Sequence, residues 1–98
     1  MASTPDQIKE RLRIELARYN LEYQDRSDND VLRYSIVKPG ESLLGFEIKK
    51  PDEVARVTSF GNKLEIMVFD RSQVSHIKDV AEAIKETLKK DYRLLRGY

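Results

Sequence analysis

The sequence predicts one two-layer α+β domain over residues 1–98, an antiparallel meander of four or five strands with a helix at each end. Three observations support this fold class. An amphipathic segment comes first, short alternating segments separated by turn residues follow, and a long amphipathic segment ends the chain. Because the alternating segments have only one strongly apolar face, we expect the N-terminal and C-terminal helices to pack on that face.

The first helix is predicted to begin at Thr4, which can cap it, with Pro5 in the first helical position, and to end near Asn20. A stripe at helical spacing is expected to face the core: Ile8, Leu12, Leu16 and Tyr19. A second, weaker stripe consists of Ile14, Ala17 and Leu21. This second stripe either covers the junction of helix and sheet or contacts another chain.

The strands are predicted at 21–26, 31–38, 43–49, 54–60 and 63–70. A turn at Pro39-Gly40-Glu41 is expected to join the second of these to the third. With that loop, apolar side chains of the two strands face each other in three pairs: Ile36 with Leu44, Tyr34 with Phe46, and Leu32 with Ile48.

The last two strands flank Gly61-Asn62, a two-residue loop typical of a β-hairpin. Pairing outward from it predicts these core-facing pairs: Ser59 with Leu64, Val57 with Ile66, and Ala55 with Val68. The opposite face is predicted to carry Val54 with Phe69, Arg56 with Met67, Thr58 with Glu65, and Phe60 with Lys63.

The C-terminal helix is predicted from Ser72 to Leu95. Its apolar residues fall in one broad stripe: Val74, Ile77, Val80, Ala81, Ile84, Leu88, Tyr92 and Leu95. The last turns are basic, which complements the negative end of the helix dipole.

Composition narrows the functional classes. The chain has no cysteine, which excludes disulfides, thiolate catalysis and zinc–thiolate sites. It has no apolar leader and no stretch near the roughly 20 apolar residues of a membrane span, so we expect a cytoplasmic protein.

Charged residues make up 36% of the chain with a net charge of +1, which disfavours general attraction to nucleic acid but allows a local basic patch. Such a composition suits a heat-adapted protein and an ordinary well-solvated domain equally well.

Catalytic candidates are few. His76, the only histidine, has no base, acid and nucleophile set around it in the sequence pattern. Asp25, Asp28 and Asp30 resemble the start of a calcium loop, but the required glycine and the closing glutamate are missing, and turn chemistry explains them. We therefore expect no enzymatic activity, no cofactor and no metal site.

The sheet face turned away from the helices carries the most informative candidates. Its predicted apolar residues are Val37, Leu43, Val54, Phe60, Met67 and Phe69, with Arg33, Lys49, Arg56 and Lys63 among them. An exposed apolar patch usually marks an interface. Two copies could stack these faces or part of the chain could fold over them, a different protein could bind, or nucleic acid could bind.

We expect a non-enzymatic domain that acts through protein–protein contact, most simply as a homodimer. The predicted contact residues are Val54, Arg56, Met67 and Phe69. The alternative is a nucleic-acid-binding module, in which aromatic rings stack on bases and basic side chains contact phosphate. Its residues would be Arg33, Arg56, Lys63 and Phe69, with Lys89, Arg93 and Arg96 at the end of the last helix.

Overall fold

A computed structural model describes residues 4–28, 31–49, 51–60 and 63–98. The elements are α1 (Thr4–Ala17), β1 (Glu22–Asp25), β2 (Leu32–Lys38), β3 (Glu41–Leu43), β4 (Phe46–Lys49), β5 (Asp52–Phe60), β6 (Lys63–Val68), a 3-10 turn (Arg71–Gln73), α2 (Val74–Leu88) and β7 (Asp91–Arg96). Five strands form a sheet in the order β1-β2-β5-β6-β7, and β3 and β4 form a separate two-stranded hairpin. The α+β class is confirmed. The all-antiparallel meander is wrong, because β6 and β7 run parallel.

The core joins residues of both helices with residues of the five-stranded sheet. Buried residues of α1, α2 and the sheet belong to one apolar cluster, and the two helices contact each other. The predicted α1 stripe is confirmed, since Ile8, Leu12 and Leu16 are buried in that cluster. Tyr19, just beyond α1, packs against the cluster and donates a hydrogen bond from its hydroxyl to Asp79 of α2 at 3.1 Å.

The hairpin of β5 and β6 has the predicted register. Val57 lies opposite Ile66, and all three expected core-facing pairs are formed and buried. The predicted loop residues, Gly61 and Asn62, lie outside the described residues. From Ala55 to Ser59 and from Leu64 to Val68, alternation therefore sets which side chains enter the core.

The predicted pairing of the second and third strand segments is wrong. β2 pairs with β5, so that Tyr34 lies opposite Val57 and Ile36 opposite Ala55, all of them buried. The intervening segment turns back on itself at Leu44-Gly45 and forms the β3–β4 hairpin. Ala55 and Val57 of β5 give β2 buried apolar partners, whereas Leu44 and Phe46 of the hairpin are exposed.

A β-bulge in β5 changes the position of Val54. Ile36 of β2 lies opposite Ala55, whereas the next residue, Val37, lies opposite Glu53. Val54 is thus the extra residue, and it is 1% exposed in the core cluster beside Ala55. The prediction that Val54 lies on the outer face is wrong, because the bulge breaks the alternation at this point.

The C-terminal helix is shorter than predicted. It ends at Leu88, followed by Lys89 in the left-handed conformation with φ of 57°. Asp91–Arg96 then forms β7, which lies parallel to β6 and places Tyr92 opposite Leu64 and Leu94 opposite Ile66. A parallel neighbour requires a crossover connection, and α2 supplies it. Tyr92 and Leu95 continue the helical stripe, whereas Tyr92 and Leu94 have the two-residue period of a strand, and pairing with β6 decides between the two.

Ile66→Ala should cost about 2–4 kcal/mol of unfolding free energy, because the side chain is 1% exposed and its removal leaves a cavity. Urea denaturation followed by circular dichroism measures this loss. Glu65→Ala, on the other face of β6, is the matched control and should change stability by less than about 0.5 kcal/mol. A loss below about 1 kcal/mol for Ile66→Ala would contradict the assigned faces.

Tyr92→Phe should flatten the alkaline pH dependence of stability. The Tyr92 hydroxyl donates to Glu82 of α2 at 2.6 Å, and this hydrogen bond together with burial raises the tyrosine pKa from 10.0 to about 12. The folded state holds this proton more tightly than the unfolded state, so its contribution to stability is complete below pH 10 and is lost as the pH rises through about 12. Denaturant titrations of both proteins across this window measure the effect, and parallel pH profiles would contradict it.

Candidate binding surfaces

The outer face of the five-stranded sheet, turned away from the core, brings the predicted basic and apolar residues into rows across the strands. One row runs from β1 to β7 and comprises Gln24, Ser35, Arg56, Met67 and Leu95. The next row comprises Arg33, Thr58, Glu65 and Arg93. Arg33, Arg56, Met67 and Leu95 also line one shallow groove. The described side chains do not include Leu43, Lys49 and Phe60, which were also expected on this face.

Arg56 is held in place by two neighbours. Its guanidinium forms an ion pair with Glu53 at 2.9 Å and lies over the ring of Phe69, 5.5 Å from the ring centre. Glu53 also accepts a hydrogen bond from the hydroxyl of Ser35. The bulge at Val54 makes this possible, because it turns Glu53 toward the same face as Arg56.

The C-terminal segment covers part of the apolar patch. The amide of Gly97 donates to the carbonyl of Val68 at 2.7 Å, which continues the β6–β7 pairing. A Cβ on Gly97 would lie 2.7 Å from Cδ1 of Phe69 and 3.0 Å from Cγ of Met67. Phe69 is therefore half-buried by the chain itself, while Met67 keeps 37% of its surface exposed.

The predicted basic cluster at the end of the last helix does not form. Lys89 caps α2, and the two arginines lie on β7, where Arg93 is opposite Glu65 and Arg96 opposite Val68. Since successive strand residues point to opposite faces, Arg93 lies on the outer face and Arg96 on the core side. The prediction assumed the spacing of a helix, in which these positions are neighbours.

A polar groove of about 670 Å³ crosses the outer face at β1 and β2. Its lining residues are Gln24, Arg26, Arg33, Ser35, Val37, Pro51, Glu53 and Arg56. The three arginines outnumber the single glutamate, so the residues that line the groove carry a net positive charge. Arg26 was not predicted as a site residue, because it follows the last residue of β1 and no alternating or helical pattern marks its position.

The tip of the β3–β4 hairpin exposes large apolar side chains. Leu44 is 88% exposed and Phe46 is 76% exposed. The expectation that Leu44 pairs with Ile36 and Phe46 with Tyr34 is wrong, because Leu44 and Gly45 form the hairpin loop with φ of 54° and 83° and Phe46 pairs with Leu43. Positive φ at both residues is typical of a type I′ turn, in which Asn and Gly are favoured and leucine is strained. Gly45 within a presumed strand was the signal of this turn.

A second groove, of about 530 Å³, lies where α1 meets β1. Its lining residues are Arg13, Leu16, Ala17, Asn20, Leu21, Glu22, Tyr23 and Pro39. Within the predicted second stripe of α1, Leu21 is buried, whereas Ile14 is 39% exposed and Ala17 is exposed.

The titratable candidates have structural partners. His76 bonds through Nδ1 to the side chain of Gln73 at 2.9 Å, and its ring stacks on Tyr19 with ring centres 4.3 Å apart. Hydrogen bonds from Ser27 and an ion pair with Lys9 at 3.0 Å lower the pKa of Asp25 to about 2. Asp30 lies outside the described residues.

The described residues contain no group of three or more His, Cys, Asp or Glu side chains arranged to hold a metal ion. Over the same ranges, neither helix has the length and apolar character that a membrane crossing requires. Comparison with family models, curated proteins and solved structures finds no match to this chain.

Gly97→Ala should destabilise the protein by about 1–3 kcal/mol, because the added methyl group overlaps Phe69 and Met67. Urea denaturation measures the loss, with Ser75→Ala at an exposed position of α2 as the control. Stability equal to that of the wild type would show that the C-terminal segment does not lie against Phe69.

Proposed function

We propose that this protein is a small non-enzymatic binding domain that acts through protein–protein contact and forms a homodimer. The observation that carries this proposal is the hairpin tip, where the two most exposed large apolar side chains of the described residues, Leu44 and Phe46, stand together. Leaving such side chains in water costs about 1.5–3 kcal/mol each relative to burial. Association with another protein surface recovers this free energy.

In this proposal both helices cover the same face of the sheet. The shared core cluster and the contact between α1 and α2 support this arrangement. The outer face is then left for contact, with Arg56, Met67 and part of Phe69 as a second surface. Only Val54 is withdrawn from the predicted contact set, since it is buried.

Nucleic-acid binding on the outer face is the second candidate function. It is favoured by the groove that gathers Arg26, Arg33 and Arg56, and by Arg93 on the same face. Glu53 and Glu65 on this face work against it. The ring of Phe69 is also occupied by Arg56 and Gly97, which leaves little surface for a base to stack on.

Light scattering at low and high salt tests the proposal. We expect a dimer whose mass is the same at both salt concentrations, because an apolar interface is little affected by screening. A monomer at both concentrations would contradict self-association. Anisotropy titrations with fluorescent single-stranded and duplex oligonucleotides form the second arm, and binding that weakens steeply with salt would support the nucleic-acid function instead.

A further inference from the structure

The polar groove on the outer face contains two arginines that lie opposite each other. Asp25 of β1 pairs with Tyr34 of β2, and the next residue, Arg26, donates its amide to the carbonyl of Arg33 at 2.7 Å. Like charges placed directly opposite each other on antiparallel strands are destabilising. Both side chains are exposed, so neither contributes to the core. The pair therefore destabilises the free protein, and an anion bound between the two guanidinium groups would reverse this effect.

No carboxylate of the described residues neutralises this pair. Neither Arg26 nor Arg33 takes part in an ion pair within the described part of the chain. The guanidinium of Arg26 donates instead to Oε1 of Gln24, a neutral acceptor, at 2.7 Å. Arg56, the third arginine of the groove, is already paired with Glu53. Three arginines and one glutamate give the lining residues a net charge of +2, which lies at Arg26 and Arg33.

The backbone that carries the two arginines is held by the turn that follows β1. The amide of Ser27 donates to Oδ1 of Asp25 at 2.9 Å, and the amide of Arg33 donates to Oγ of Ser27 at 3.0 Å. Ser27 thus fixes the backbone on either side of the pair. A site whose backbone is already ordered loses little conformational entropy when it binds a ligand.

A phosphoryl group matches the charge and the donors of this groove. The planar fork of a guanidinium fits the oxygens of a phosphate, and the hydrogen bonds between them are assisted by charge. A phosphorylated serine or threonine carries a charge of about −1.5 to −2 at pH 7 and offers three acceptor oxygens. Each phosphate of a nucleic acid carries about half this charge. The described residues that line the groove also include no aromatic ring on which a base could stack.

The groove continues from the arginines along β2. Arg33, Ser35 and Val37 follow one another in its lining at two-residue spacing, which places Val37 roughly 13 Å from Arg33. Val37 and the exposed Pro51 make this end of the groove apolar. An extended peptide has nearly the same rise per residue as a strand. A peptide whose phosphorylated residue lies at the arginines therefore brings a residue about four positions away to Val37.

The position of the groove favours a peptide over a small metabolite. Sites for small ligands typically bury roughly 70–90% of the ligand surface. This groove instead crosses an exposed sheet face, where an extended chain can lie along β2. Recognition of phosphorylated segments by clusters of arginines is a recurring mode of peptide binding.

We infer that this groove binds an extended segment of a partner protein through a phosphoserine or phosphothreonine, with the phosphoryl group between Arg26 and Arg33. The inference adds a partner of defined chemistry to the protein–protein function proposed above. It does not depend on the homodimer, because one chain supplies all the residues of the groove.

Anisotropy titrations with a short fluorescein-labelled peptide test the inference. The peptide carries one phosphoserine flanked by alanine and valine. The same peptide with serine should bind at least about 10-fold more weakly, because hydrogen bonds between charged groups contribute about 1.5–3 kcal/mol. A peptide with glutamate in place of phosphoserine should also bind more weakly. Equal affinity for all three peptides, or no binding of the phosphopeptide, would overturn the inference.

Variants of the arginines locate the site. Arg26→Gln and Arg33→Gln should each weaken phosphopeptide binding on the order of 10-fold. Lys78→Gln makes the same change of charge at an exposed position of α2 and should leave the dissociation constant within about twofold. Arg33→Lys keeps the charge but loses the fork, so it should weaken binding severalfold. Unchanged affinity in Arg33→Lys would show that general attraction, and not a site, holds the peptide.

Stability separates a binding role from a structural one. The urea midpoint of Arg33→Gln should be equal to or higher than that of the wild type, because the substitution removes a like-charge pair. A clear fall in the midpoint would show that Arg33 supports the fold and would overturn the argument for a ligand.

Competition experiments identify the carrier of the phosphoryl group. Free phosphoserine should compete at least about 10-fold less well than the phosphopeptide, because it makes no contact near Val37. Equal competition would rule out the peptide as the ligand. Stronger competition by a single-stranded oligonucleotide, lost in Arg33→Gln, would assign the groove to nucleic acid. A monomer that binds the phosphopeptide would contradict only the homodimer, whereas a dimer that does not bind it would contradict only this inference.

Discussion

The structure depends on the position of β5 between β2 and β6. Its inward residues meet apolar partners on both sides, with Val57 between Tyr34 and Ile66. This double pairing fixes the register of three strands at once, because a shift by one residue would turn every apolar side chain away from the helices. The bulge at Val54 adds one further apolar residue to the core and, on the other face, brings Glu53 to Arg56.

β7 contributes side chains to both faces of the five-stranded sheet. On the core side it places Tyr92 and Leu94 beside β6 and ties β7 to α2 through the hydrogen bond to Glu82. On the outer face it adds Leu95 and Arg93 and brings Gly97 against Phe69. The C-terminal segment thus covers part of Phe69 on the outer face, and β7 adds one apolar and one basic residue to it.

Two surfaces therefore differ in chemical character. The outer face combines Met67 and Leu95 with arginines and their carboxylate partners, so its character is mixed and partly neutralised. The hairpin tip is apolar, exposed and strained, and it adjoins no part of the core. An interaction that buries the tip stabilises the complex through the hydrophobic effect, whereas one on the outer face would draw more on charge.

Local periodicity is sufficient to predict those elements whose pattern allows a single arrangement. The stripe of Ile8, Leu12 and Leu16 and the pairing of Val57 with Ile66 follow from local periodicity, and both are present. The remaining elements depend on contacts between segments that lie far apart in the sequence. Tyr92 and Leu95 have the spacing of one helix face, but pairing with the edge of β6 places them in a strand, on opposite faces of the sheet. Val54 became a core residue through a bulge that no alternating pattern encodes. Leu44 and Phe46 have the spacing of a core strand, but β2 pairs with β5 instead, and these residues lie in a separate hairpin. Segments that lie far apart in the sequence compete for the same backbone hydrogen-bond partners. The local sequence alone does not show which of these segments will pair.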